Sequence, residues 1–156
     1  MSTVMPVVFY KEPVEAIDWL GRAFGFELGL MVTDNEGRLG HAEVRWRDEP
    51  IGVGAEWASA ELLGPASLKS PTSLEGAGSQ FIRLFLEKDI DLHCERARAA
   101  GARIVQEPQT QFYGDRTYRA LDPEGHVWNF SQTVQALSIA EMEKASGLTF
   151  TSGDRT

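Results

Sequence analysis

The sequence predicts an α+β fold made of two β-α-β-β-β modules followed by a C-terminal helix. Three observations predict it. The first is an internal repeat: "VVFYKEPVEAIDWLGRAFGFEL" and "RLFLEKDIDLHCERARAAGARI" superimpose with Gly25 on Gly101, which brings Phe9, Arg22 and Ala23 onto Phe85, Arg98 and Ala99. The second is that each copy is followed by strand-like runs separated by turn signals. The third is a helical start and stop signal in the tail "QALSIAEMEKASGLTF".

Taken in order, the first copy opens on a short apolar strand and runs through a polar turn into a helix. That helix carries Val14, Ile17, Leu20 and Phe24 on one stripe and stops at Gly25, where a left-handed residue is cheapest. "FELGLMV", "GHAEVRW" and "IGVGAEW" then read as three strands, closing module one over residues 3–57. Residues 58–79 are rich in Ser, Pro, Gly and Ala and lack periodicity, so they read as a linker with room for one short helical turn. Module two, residues 80–133, repeats the pattern: a helix striped with Ile90, Cys94, Ala97 and Ala100, then "RIVQEP", "RTYRALD" and "HVWNFS". In the tail, 134–156, Ser138 and Glu141 have capping-box spacing, Leu137 can staple onto Met142, and Gly147 supplies the stop, giving a helix from about Ile139 to Ser146. So short a helix must dock its apolar side, either on its own domain or on a partner chain.

At 156 residues the chain suits one domain with one core, and 42% hydrophobic residues exclude a disordered chain. Its net charge of −8, with basic residues scattered singly, disfavours nucleic acid as a partner. No apolar run approaches the ~20 residues of a membrane helix, and no leader pattern opens the chain, so the expected location is the cytoplasm. The lone Cys94 fits a reducing compartment and, on a buried helical stripe, reads as an inert thiol. Phosphate-binding loops, dinucleotide fingerprints, H-E-x-x-H, paired C-x-x-C and the G-x-S-x-G elbow are absent from the sequence.

Two such modules ending in D-P-E-G-H, together with "GHAEV", "SQFIRLFLEKDID" and "YGDRTYRALDPEGHVWNFSQ", resemble the vicinal oxygen chelate superfamily over roughly residues 3–133. That superfamily includes glyoxalase I, bleomycin- and fosfomycin-resistance proteins and extradiol dioxygenases. The resemblance implies a curved mixed sheet around a cavity, a small-molecule ligand and a homodimer. It also implies a divalent metal held at positions that fall here on Met5, Glu56, Gln80 and Asn129. Glu56 alone suits a hard or borderline cation, so the expectation is no cofactor and no family metal site.

Strand alternation sets Ala42, Val44 and Trp46 toward the helix and His41, Glu43 and Arg45 toward the cavity. With Asp48 and Glu49 as central turn residues, His41 falls across from Glu56; an even-length turn shifted by one position sets Glu43 opposite Glu56 instead. His41 and Glu56 are thus the candidate catalytic pair, and a cross-strand ion pair organising a pocket floor is the alternative for His41. A turn centred on Pro123 and Glu124 sets Tyr118 across from Asn129 in the cavity and Arg119 beside Trp128 on the other face. Tyr113 is expected to line the mouth, and Asp115 and Arg116 to brace each other. His126 reads as tying down its turn, and His93 as structural, without a chemical role. The candidate ligand-binding residues are Glu43, Arg45, Gln80, Tyr113, Tyr118 and Asn129. Two functions follow: a metal-free small-molecule-binding protein, or a glyoxalase-like lyase or isomerase using His41 and Glu56 or a metal at a rearranged site.

Overall fold

A computed structural model describes residues 2–153. Module one runs β1 (Val7–Tyr10), α1 (Pro13–Phe24), β2 (Glu27–Thr33), β3 (Leu39–Trp46) and β4 (Glu49–Ala55). Module two runs β5 (Phe81–Leu86), α3 (Ile90–Ala99), β6 (Arg103–Thr110), β7 (Asp115–Leu121) and β8 (Val127–Thr133). Between them lie α2 (Glu56–Leu63) and two 3-10 turns, Gly64–Ala66 and Pro71–Leu74, so the linker is more ordered than the single turn its composition suggested. Each module is a four-stranded mixed sheet, ordered β1-β4-β3-β2 and β5-β8-β7-β6, with β1 parallel to β4 and β5 parallel to β8.

Every module buries the strand face that its helix covers: Val8 and Tyr10, Ala42 and Val44, Leu84, Tyr118 and Ala120, Trp128 and Phe130. The stripe of α1 is rotated slightly from the expected one. Ala16, Ile17, Leu20, Ala23 and Phe24 are buried, and Val14 sits at the margin, 45% exposed. Phe24 crosses between modules, its ring centre 5.8 Å from Trp128 and 4.8 Å from Phe130, and the buried apolar residues of both modules form one cluster.

The D-P-E-G-H turn is the clasp between the modules. Asp122 is buried and accepts from Tyr10 Oη (2.6 Å), Trp128 Nε1 (3.0 Å) and the backbone N–H groups of Glu124 and His126. Glu124 accepts from the N–H groups of Lys11 and Glu12, capping the start of α1 from the other module. His126 Nε2–H donates to Phe9 O at 2.7 Å, so it ties down its turn as expected, and ties it to β1. The β3–β4 turn answers from the other side, with Trp46 Nε1 donating to Phe85 O and Arg47 pairing with Glu87.

His93 is a structural histidine, as expected, half-buried at the seam between the modules. Its Nε2–H donates to Phe24 O (2.8 Å), which leaves Nδ1 to accept from Tyr118 Oη (2.6 Å). Burial lowers its pKa below the ordinary value, and burial likewise pushes the Cys94 thiol up to about 11. Once pH drops below about 6.5, an unfolded chain takes up a proton that folded His93 resists, so stability present above that pH is lost on acidification. Urea unfolding at pH 7.5 and 5.5 should show the wild type losing about 1 kcal/mol more than His93→Gln; equal losses would contradict the assignment.

The tail forms α4 (Ile139–Ser146) with the expected capping box, Ser138 Oγ accepting from Glu141 N and Glu141 Oε2 from Ser138 N, and Gly147 in the left-handed conformation. Val134 and Gln135 donate to Gly114 O, and the Phe150 ring stands 6.3 Å from Phe112.

Candidate functional site

Alternation along the central strands builds an open face opposite the helices. Module one contributes Val7 and Phe9 from β1, His41, Glu43 and Arg45 from β3, and Gly52 and Gly54 from β4. Module two contributes Phe81, Arg83 and Phe85 from β5, Val127, Asn129 and Ser131 from β8, and Thr117 and Arg119 from β7. The two glycines let Phe9 and Val7 lie flat on the sheet: a Cβ at Gly54 would stand 2.5 Å from Phe9 Cε1, and one at Gly52 2.9 Å from Val7 Cγ2.

His41 and Glu43 share this face as expected, with Nε2 and Oε1 3.6 Å apart, and Arg45 lies against Gly29. The pairing of His41 or Glu43 with Glu56 is corrected. The central turn residues are Arg47 and Asp48, Arg47 taking φ 55°, so Trp46 pairs with Glu49, His41 faces Gly54 and Glu43 faces Gly52. Glu56 lies beyond the end of β4, in the first turn of α2, and its carboxylate accepts from Ser70 N (2.5 Å) and Ser73 Oγ (3.0 Å).

Tyr118 is corrected in the same way. The β7–β8 loop holds five residues, 122–126, because Asp122 N–H bonds to His126 O; Leu121 therefore pairs with Val127 and Tyr118 with Phe130. Tyr118 is fully buried against the helix side, and Arg119, which was assigned to the other face beside Trp128, faces outward opposite Asn129 and over the Phe81 ring at 5.7 Å. Asp115 and Arg116 do not pair. Asp115 holds Arg83 (2.6 Å), while Arg116 holds Asp91 (2.7 Å).

Arg83 is the residue the sequence reading missed. Its Nε donates to Ser131 Oγ at 2.8 Å, and its guanidinium lies 4.9 Å from the Phe85 ring and 5.6 Å from that of Tyr113. The signal was present, since a lone arginine in an apolar strand at the position matching Val7 must face out. Asn129, between Arg83 and Arg119 in register, is buried, and its Oδ1 has no hydrogen-bond partner among the described residues.

Where the modules meet, the linker roofs a cavity of about 1060 Å³. Val7, Phe9, Phe81, Leu121 and Val127 form its floor, and Gln80 and His126 stand at its side. Two residues of α2 hold the roof in place, Glu56 as above and Ser59, whose Oγ accepts from Leu68 N at 2.7 Å.

This arrangement of paired β-α-β-β-β modules matches a known family over most of the chain: residues 3–130 fit the Glyoxalase/Bleomycin resistance protein/Dioxygenase superfamily. The chain belongs to that superfamily. It is 32% identical over 141 residues to an uncharacterized protein of Mycobacterium bovis, covering 90% of this chain and 89% of that one. Among solved structures, TioX from Micromonospora sp. ML1 is 29% identical, with a TM-score of 0.63 over 88% of this chain and all of that one. A glyoxalase/bleomycin resistance protein/dioxygenase from Nocardioides shares the fold at 16% identity, with a TM-score of 0.63 and 86% of each chain covered.

Metal-dependent members of the superfamily need donors that converge, and among the described residues no three His, Cys, Asp or Glu side chains group to hold an ion. Superimposing the repeats puts Val7 on Arg83, and the parallel registers then put Gly52 on Asn129, so module one offers an isopropyl group and a bare backbone. Val4 and Pro6, on either side of Met5, line a groove beside Phe85, whereas Gln80 lines the cavity near Phe9. Glu56 is committed to the linker. A thioether and two neutral amides at separate places are a poor set for a hard divalent ion.

Proposed function

We propose that the chain is a single-domain small-molecule-binding protein of the glyoxalase/bleomycin-resistance type that works without the family metal ion. The observation that carries this reading is the donor set just described, in which the one good carboxylate ligand, Glu56, bonds to the linker instead of facing the cavity. The open face adds what a binding surface needs. It has aromatic rings at Phe81, Phe85 and Tyr113, a guanidinium held rigid at Arg83, and in Asn129 a buried acceptor whose desolvation a ligand N–H or O–H would offset. The ligand-facing group thus becomes Arg83, Arg119, Asn129, Tyr113 and Gln80, with Glu43 and Arg45 at the module-one end.

A second reading, a glyoxalase-like lyase or isomerase, is favoured by the contact between His41 and Glu43 on the same face. With Glu56 elsewhere, proton transfer falls to His41 with Glu43 as its partner. We take the protein to act as a cytoplasmic homodimer; the half-exposed Leu28, Leu30 and Val32 of edge strand β2 support a partner chain, and among the described residues no helix is long and apolar enough to cross a membrane.

Metal analysis of chelator-free protein and a thermal-shift panel test the reading together. The expected result is substoichiometric metal and a raised melting midpoint with at least one panel compound, worth about 2.7 kcal/mol at a hundredfold excess over Kd. Stoichiometric Zn, Ni, Mn or Fe would sink it. Turnover of a hemithioacetal that His41→Ala abolishes would establish the second reading in its place.

A further inference from the structure

We propose that the cavity under the linker takes an uncharged, apolar molecule of several rings, and that Glu56 is the positioning residue that pins the linker strap 67–73 across it. This goes beyond the binding reading above: the cavity is a separate space, sharing Gln80 and Phe81 with that surface but lined by neither Arg83, Arg119, Tyr113 nor Asn129. The cavity floor is apolar and drawn from both modules, with Val7, Phe9, Phe81, Leu121 and Val127 contributing. Roof and floor are left unfilled: Leu68 is 49% exposed, Leu74 43% and Phe81 52%. In a chain with 23 acidic residues, no carboxylate among the described residues lines this wall, and its charged or titratable side chains there are Lys69 and His126. His126 Nε2 is already spent on Phe9 O, and Lys69 is exposed. A buried ligand charge would have no fixed partner to repay its desolvation. At about 1060 Å³ the space stands at the top of the range for small-molecule sites, beyond the need of a single ring.

The strap explains how such a ligand enters. Ser70 and Pro71 are buried, and Ser70 N, Ser73 Oγ and Leu68 N all bond to side chains of α2. On either side of the pinned stretch, Gly64 and Gly76 adopt positive φ (53° and 86°), conformations that glycine enters at little cost. Residues 74–80 are exposed throughout, so this arm opens while the pinned stretch stays in place. A carboxylate at a family ligand position has here become the anchor of a lid.

The probe is N-phenyl-1-naphthylamine, titrated by fluorescence into the full chain beside its sulfonated relative 1-anilinonaphthalene-8-sulfonate. The uncharged probe should bind one to one and about tenfold more tightly than the sulfonate. Val127→Phe, or Leu121→Phe should the first variant fold poorly, should weaken it about tenfold with the melting midpoint kept. Glu56→Ala should speed probe release about tenfold and hasten tryptic cleavage after Lys69, and Glu56→Gln should recover part of both effects. Tighter binding of the sulfonate, indifference to the floor variants, or a Glu56→Ala protein whose release and cleavage rates match wild type would each overturn the proposal.

Discussion

Asp122→Ala is expected to cost the fold about 3–5 kcal/mol. One carboxylate accepts four hydrogen bonds, and two of their donors, Tyr10 Oη and Trp128 Nε1, belong to residues with no exposed surface. Truncation therefore leaves two buried donors unpaired and also frees the turn that carries Glu124 and His126 onto module one. Tyr10 stays a phenol under these conditions, since burial first and the adjoining charge of Asp122 second raise its pKa well above the ordinary value. Urea unfolding measures the loss. Asp122→Asn keeps an acceptor for the turn N–H groups but opposes an amide NH₂ to Trp128, so it should fall between wild type and alanine. A loss under about 1 kcal/mol for alanine would show that the clasp does not hold the modules.

Phe24→Ala should cost a similar amount, about 3–5 kcal/mol, and should do so in a single transition. The ring belongs to module one by sequence, yet it stands within 6.5 Å, centre to centre, of Trp19 and Phe26 in its own module and of His93, Trp128 and Phe130 in the other. Truncation leaves a cavity that opens on both halves of the core, and neither half can collapse into it alone. Phe24→Leu keeps most of the volume and should lose about half as much. Fluorescence and circular dichroism should report coincident midpoints for each variant; separated transitions would mean that the modules unfold independently.

The same division between near and far explains what could be read in advance. α4 was legible to the residue because its determinants are local: Ser138 and Glu141 three positions apart, and Gly147 where the chain must turn left-handed. The faces of β3 were legible because alternation is a property of the strand itself. The role of His126 as a turn anchor was also legible, but its acceptor, Phe9 O, lies 117 residues away and could not be named.

Periodicity, turn chemistry and the repeat thus determined the two modules, the helix and strand order and the open faces, since each follows from a pattern along the chain, and the resemblance of stretches such as D-P-E-G-H pointed to the family. Tertiary structure alone decided the hairpin registers and the fate of Glu56. A left-handed Arg47 shifts the β3–β4 register, and a bond between Asp122 and His126 lengthens the β7–β8 loop, which turns Tyr118 into the core and Arg119 outward. Glu56 bonds to Ser70 and Ser73, 14 and 17 residues on, because a linker without periodicity folds back over α2. Contacts of that kind depend on where other elements pack, and no local pattern in the chain encodes them.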